Sequence, residues 1–233
     1  MSARASALRS GILVFAATLA VDASLAPPAH AGWREVSVSI NLPPKIDTEP
    51  EQPVLVARMR ANGHEFLDVG LEVSRWVRRE IGRETSLTAL DVRPPPIPEQ
   101  RPQQLAANDR FWRRLGEDFD ADLIVGGIVS YASEDRSGFV NEDVISPVTR
   151  QTVRRTRFQN MRGYRLQLEV FFFKGDNGAL LHHDIWKKEL LASSDQTPDE
   201  LTVLYELLES MKDDLLAVLL PTKLRQPRYI WVE

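Results

Sequence analysis

The sequence predicts an α/β fold built on a mixed parallel and antiparallel sheet, with a buried central strand, helices on its faces and a long C-terminal helix. Three observations lead there. The run Leu123 to Tyr131 is almost continuous Leu, Ile and Val near the middle of the chain, which suits a strand covered on both faces rather than one with a wet side. Segments before it alternate between strand-like and helix-like periodicity, as parallel strands joined by crossover helices do. After it, Tyr164 to Phe173 and Ala179 to Leu191 flank Asn177-Gly178, a pair that supplies the positive φ angles of a hairpin and so predicts antiparallel partners.

Taken in order, residues 1–31 read as a secretory signal peptide. Arg4 and Arg9 precede the apolar stretch Gly11 to Val21, and Ala29-His-Ala31 offers small residues at a cleavage point. Asp22 interrupts the stretch short of the roughly 20 residues that span a bilayer, so cleavage is expected and no transmembrane span after it. Residues 32–52 carry Pro43, Pro44 and Pro50 and read as an extended leader, in which Val36, Val38 and Ile40 alternate as an edge strand would. A single mixed α/β domain is expected over 53–233.

Val54 to Met59 is the first strand of that domain, and Asn62-Gly63 signals a turn. Phe66, Val69, Val73, Trp76 and Val77 recur at helical spacing and predict a helix through Arg79 with Trp76 in the core. Thr85 to Val92 reads as a second strand by the alternation of Leu87, Ala89 or Leu90, and Val92, and it is ended by Pro94 to Pro96 and Pro98, which make 93–102 a stiff connection. Asn108 caps a short helix in which Phe111 or Trp112, Leu115 and Phe119 are expected to face inward. Gly126-Gly127, inside the central strand, marks a close approach by a helix or another backbone. Ser133 to Gly138 reads as a polar turn. Thr197-Pro-Asp-Glu200 combines a Thr cap, Pro at the first helical position and Glu three residues on. From there one helix is expected to Leu220, with Leu201, Leu204, Leu208, Met211, Leu215 and Val218 on its apolar face. The tail Arg228 to Val232 alternates and is expected at an edge or under this helix.

The 233-residue chain carries 29 Lys and Arg against 33 Asp and Glu, a net charge of −4, which offers nucleic acid no global attraction. It contains no cysteine, which excludes disulfides, cysteine-ligated zinc and lipid attachment through an N-terminal cysteine. His182-His-Asp184 invites a metal reading, but neighbours on a strand point to opposite faces and do not share one ion. No nucleophile elbow, phosphate loop or dinucleotide fingerprint is present. The sequence therefore assigns no catalytic residue, no metal site and no cofactor. The unusual stretch is 144–168, which holds Arg150, Arg154, Arg155, Arg157, Arg162 and Arg165 and no acid. Arginine forks pair with carboxylates and phosphates, so the basic hairpin arm expected at 139–165 is a candidate binding element through Arg150, Arg154, Arg155, Arg157 and Arg162. The competing reading is a solvated arm whose charges protect an edge from aggregation.

Asp120-Ala-Asp-Leu-Ile-Val-Gly-Gly-Ile-Val129, the preceding Phe111-Trp-Arg-Arg-Leu-Gly116 and the later Gly175-Asp-Asn-Gly-Ala-Leu-Leu181 resemble motifs of the envelope proteins that include the amino-terminal domain of TolB, CsgG, LpoB and FlgO-like proteins. The resemblance covers most of residues 53 to 220, and its motifs are structural. It implies a small mixed sheet with helices on its faces, used as a non-enzymatic adaptor in cell-envelope or surface-appendage assembly. LpoB and CsgG are lipoproteins, and this chain has no cysteine to carry a lipid. The expectation is a periplasmic accessory protein that contacts an envelope protein partner. The alternative is a module whose Arg-rich arm holds an anionic glycan or lipid headgroup. Self-association into a homo-oligomer is a further partner class, and a hydrolase whose two carboxylates carry no motif is the remaining one.

Overall fold

A computed structural model describes residues 32–62, 67–147, 149–193 and 199–232. The signal peptide expected over 1–31, the turn at Gly63, Phe66 of the helical stripe and the Thr197-Pro198 helix start lie outside the described residues. Two compact units are present, one spanning Ser39–Leu224 and the other formed by the described ends within Met1–Val38 and Arg225–Glu233. The element order is β1 (Gly32–Leu42), β2 (Pro53–Val56), β3 (Arg60–Asn62), α1 (Val69–Glu84), β4 (Thr88–Ala89), α2 (Pro102–Ala106), α3 (Asp109–Phe119), β5 (Leu123–Asp135), β6 (Gly138–Ile145), β7 (Thr152–Gln159), β8 (Met161–Lys174), β9 (Leu180–Ser193), α4 (Glu200–Glu209), α5 (Lys212–Leu219) and β10 (Thr222–Val232).

The main sheet runs β4-β2-β5-β8-β9, with β3 also paired to β5. β2, β3 and β4 join it in parallel and β8 and β9 antiparallel, so the mixed sheet expected from the sequence is the one observed. β5 lies at its centre. From Leu123 to Val129 every residue of β5 is buried, while Ser130 is exposed and Tyr131 buried. The strand is therefore dry on both faces over its first half and one-sided beyond. It also continues to Asp135, through residues that read as a turn, because the pairing with β8 extends to Asp135↔Arg162.

Alternation along the strands splits the core in two. Val54, Val56, Leu123, Val125, Leu166, Leu168 and Phe172 meet α1, α4 and α5 on one face. Leu55, Ile124, Ile128, Phe171 and Phe173 meet Leu105 of α2 and Trp112 and Leu115 of α3 on the other. The glycine pair sits between these layers. A Cβ on Gly126 would lie 2.7 Å from the Trp112 ring, and one on Gly127 would strike the Glu169 carbonyl and lie 2.9 Å from the Met59 sulfur. Only glycine lets α3 and β8 come this near the central strand.

Several expected elements take a different form. The first strand is split, since Val56 pairs with Val125 but Arg60 with Ile128, one extra residue on the β2–β3 side, as in a bulge. Arg58 turns its N–H out to the Pro95 carbonyl and Met59 donates its own to Ser74 Oγ at 2.8 Å. The second strand shrinks to Thr88–Ala89. α1 starts at Val69, where the Asp68 carboxylate accepts from Leu71 N–H, and Trp76 is fully buried in it. Asn108 caps α3 as expected, accepting from Phe111 N–H at 3.3 Å.

The long C-terminal helix is the chief correction. It is two helices, α4 and α5, with a break at Ser210-Met211. Ser210 Oγ donates to the Leu207 carbonyl at 2.6 Å and Met211 N–H to Leu208 at 2.9 Å. This tighter i→i−3 turn ends α4, and the hydroxyl satisfies one of its orphan carbonyls. The break still keeps Met211 and Leu215 in the core, which is why apolar spacing alone did not reveal it.

The break also carries Lys212 to a buried acid. Glu80 is fully buried on α1, with its carboxylate 2.7 Å from Arg83, 3.1 Å from Arg79 and 3.2 Å from Lys212. The Lys212 ammonium is held above its usual range, chiefly by its hydrogen bond to Glu84. Glu80→Gln is expected to lower unfolding stability by about 1–2 kcal/mol, since the amide stays buried but loses the charge that gathers three cations. A urea titration in which Glu80→Gln matches the native chain would refute this clasp between α1 and α5.

β1 and β10 form a separate two-stranded sheet. Within it Trp33 and Trp231 meet edge to face with ring centroids 5.6 Å apart. The leader strand and the alternating tail thus find each other rather than the main sheet.

Candidate partner-binding hairpin

β5 and β8 are long because each runs past the core. Their last rungs are Glu134↔Gly163 and Asp135↔Arg162, and Arg136 N–H donates to the Met161 carbonyl at 2.9 Å. Between Ser137 and Asn160 the chain leaves the main sheet as β6 and β7, an antiparallel pair in unbroken register from Gly138↔Gln159 to Ile145↔Thr152. Asp135 accepts from Ser137 N–H at 2.8 Å, and Ser137 Oγ accepts from Met161 N–H at 3.0 Å. These bonds fix the point of departure.

Among the described residues nothing buries either side of the hairpin. Phe139 is 77 % exposed, Ile145 72 % and Phe158 55 %. Alternation puts these three on one face with Asn141, Asp143, Arg154 and Thr156, and puts Val140, Glu142, Val144, Val153, Arg155 and Arg157 on the other. Phe139 and Phe158 lie opposite each other with rings edge to face at 5.3 Å, and Thr156 donates its hydroxyl to Asn141 at 2.6 Å. A two-stranded ribbon is marginal in water by itself, and this one keeps three large apolar side chains in solvent.

The five arginines singled out from the sequence are not one patch. Arg154, Arg155 and Arg157 lie on β7, with Arg154 facing away from the other two. Arg150 sits in the turn with a φ of 54°. Arg162 belongs to β8 in the main sheet, its guanidinium 6.0 Å from the Tyr164 ring centroid. The arm is also less basic than its own strand suggests, because β6 supplies acids from outside the 144–168 window. Arg154 pairs with Asp143 at 3.4 Å and Arg157 with Glu142 at 3.5 Å. Among the described residues Arg150 and Arg155 have no acidic partner within ion-pair distance. What sequence reading missed is the exposed apolar set Phe139, Ile145 and Phe158, and the signal was there: a helix-free, charge-rich stretch holding large apolar residues with no neighbouring element to cover them.

Two other places bear on chemistry. His182 and His183 point to opposite faces, as adjacent strand residues must: His183 stacks on Phe171 at 4.5 Å and meets Glu169 at 2.9 Å, while His182 lies near Phe172 and Asp184. Among the described residues no group of three His, Asp or Glu side chains could hold a metal. Burial, with Lys45 nearby, pushes the His182 imidazole below its ordinary 6.5. As the pH falls through that value the unfolded chain takes up this proton before the folded one does, so stability is expected to decline on acidification. His182→Gln should flatten that part of the pH profile in thermal melts, and an unchanged slope would refute the assignment. Elsewhere an open hollow of ≈ 270 Å³ is lined by Lys45, Asp47, Asp122 and Lys174. Both of its carboxylates are exposed to solvent.

No family model and no curated protein matches the sequence. Solved structures give partial likenesses of fold. The PelC dodecamer from Paraburkholderia phytofirmans aligns at 10 % identity and a TM-score of 0.38, covering 77 % of this chain and 97 % of that one. A neuraminyllactose-binding hemagglutinin homologue from Helicobacter pylori aligns at 11 % identity and 0.40, covering 72 % and 85 %. The C-terminal domain of LpoB from Salmonella enterica, a protein within the resemblance drawn from the sequence, aligns at 12 % identity and 0.25, covering 63 % and 86 %.

Proposed function

We propose that this chain is a non-enzymatic accessory or adaptor protein of the cell envelope, exported to the periplasm, that works by protein–protein contact through the β6–β7 hairpin in envelope or surface-appendage assembly. One observation carries the reading: a regular hairpin leaves the domain with Phe139, Ile145 and Phe158 bare to solvent, an arrangement that gains free energy only when something covers it. The basic n-region and apolar stretch before Ala31 support export. The motif Asp120 to Val129, which resembles those of envelope adaptors, supports the setting. The two carboxylates of the open hollow stand in water, whereas a general acid is normally held out of it, which favours contact over catalysis.

The test is a photo-crosslinking residue at Phe139 or at Phe158 in the native periplasm, with the exposed Glu117 of α3 as control. The reading expects a discrete envelope-protein adduct from the hairpin positions alone. Equal labelling from Glu117, or a chain that keeps residues 1–31 and stays in the cytoplasm, would overturn it.

A second reading is favoured by the unpaired Arg155 and Arg150: the arm holds an anionic glycan or lipid headgroup by bidentate contacts. Replacing Arg154, Arg155 and Arg157 with Glu would then abolish salt-dependent retention on lipopolysaccharide or peptidoglycan without unfolding the domain. Retention that survives the substitution rejects it.

A further inference from the structure

We infer that the hairpin's open edges are made for a second copy of this chain, joined head to tail so that β7 of one copy pairs antiparallel with β6 of the next. This rests on the reading of the hairpin as a contact element and names its occupant.

Among the described residues the sheet that β6 and β7 form has only those two strands. Each strand therefore has an outer edge of backbone N–H and C=O groups without a ladder partner, along eight residues apiece. The edges differ in charge. β6 reads Gly-Phe-Val-Asn-Glu-Asp-Val-Ile, with two acids and no base, and β7 reads Thr-Val-Arg-Arg-Thr-Arg-Phe-Gln, with three bases and no acid. Inside the hairpin the register sets Glu142 opposite Arg155 and Asp143 opposite Arg154. A β7 edge meeting the β6 edge of another copy in that same register repeats both pairings between molecules.

The alternatives are disfavoured by the same residues. Two β6 edges would bring acids against acids and two β7 edges would bring arginines against arginines, and like charges directly opposed across strands destabilise the pair. Only the unlike edges attract. The apolar residues agree with this polarity, because side-by-side hairpins in the same register set Phe158 of one copy beside Phe139 of the next and extend the existing Phe139–Phe158 pair into a stripe. Burying that stripe supplies the non-directional part of the association, and the charges supply its direction. The contact is heterologous, so it closes into a ring or continues as a filament according to the rotation between copies.

The experiment uses the full chain, which has no native cysteine. Asn141→Cys and Thr156→Cys variants are oxidised separately and as a mixture. Head-to-tail pairing puts the thiol introduced at position 141 of one copy opposite the thiol introduced at position 156 of another, within disulfide reach. Like positions in neighbouring copies stand two strand spacings apart, about 9.6 Å, and out of reach. The expected result is an intermolecular disulfide in the mixture and none in either variant alone. A disulfide within the Asn141→Cys sample by itself would overturn the polarity. In sedimentation, Glu142→Lys with Asp143→Lys should raise the concentration for half-assembly by at least about tenfold. Adding Arg154→Glu, Arg155→Glu and Arg157→Glu to that variant exchanges the two edges and should restore assembly. A native chain that stays monomeric up to its solubility limit, or an exchanged variant that does not recover, refutes the inference. If the native chain stays monomeric while hairpin crosslinks to another envelope protein persist, this inference fails and the adaptor reading stands. If copies assemble and no other protein crosslinks at Phe139 or Phe158, the adaptor reading fails and this one stands.

Discussion

Trp112→Ala is expected to lower the unfolding free energy by about 3–5 kcal/mol, the range for emptying a fully buried aromatic site. Trp112 has no exposed surface and joins three elements at once. Its ring stacks on Phe173 of β8 at 4.0 Å, lies over Gly126 of β5, and its Nε1–H donates to the Leu105 carbonyl of α2 at 2.8 Å. Truncation therefore opens a cavity against the central strand and removes the Trp112 donor from the Leu105 carbonyl, which keeps the Asn108 N–H at 3.3 Å. Collapse cannot refill the space, because the floor beneath the ring is a glycine. The missing Cβ at Gly126 also predicts a coupling: Gly126→Ala should destabilise the native chain and be tolerated better beside Trp112→Ala. Urea unfolding of the four species measures both effects. A loss below about 1 kcal/mol for Trp112→Ala, or strict additivity, would show that α3 is not the second wall of the core.

Excision of the hairpin should have the opposite character. Joining Ser137 to Asn160 by a short glycine turn removes β6 and β7 and keeps the last rungs between β5 and β8, Asp135↔Arg162 and the Arg136 N–H bond to Met161. Those strands are already antiparallel and adjacent there, so a tight turn suits the geometry. The described residues of the deleted segment add nothing to either buried cluster. The expected result is an unfolding free energy within about 1 kcal/mol of the native chain together with complete loss of hairpin crosslinks and of assembly. A deleted variant that unfolds much more easily would mean that the arm braces the domain instead of reaching out of it.

The glycine pair shows how far local pattern reaches. Two glycines inside an apolar strand already imply close neighbours, and Trp112 and the Glu169 carbonyl are those neighbours. Asn108 as a cap, Trp76 as core and Gly178, at a φ of 73°, as the special residue of the β8–β9 turn were legible for the same reason. Each depends on backbone geometry within a few residues or on a face that must be dry.

The candidate site was legible by half. The Arg-rich stretch 144–168, without acids, stands out in a net-acidic chain, yet that window stops short of Glu142 and Asp143, which strand pairing sets opposite Arg155 and Arg154. Alternation then turns Arg154 away from Arg155 and Arg157, and Arg162 falls into the main sheet. A one-dimensional count of charge cannot register what lies across a ladder.

What the sequence by itself determined is the mixed α/β class, the dry central strand and the positions of most helices, because periodicity, caps and turn residues act over short spans. The tertiary structure alone decided that the C-terminal helix breaks at Ser210, that the leader pairs with the tail, and that Phe139, Ile145 and Phe158 find no cover among the described residues. The physical reason is that these depend on which surfaces meet across long separations in the chain, and a side chain's spacing carries no information about whether another element will arrive to bury it.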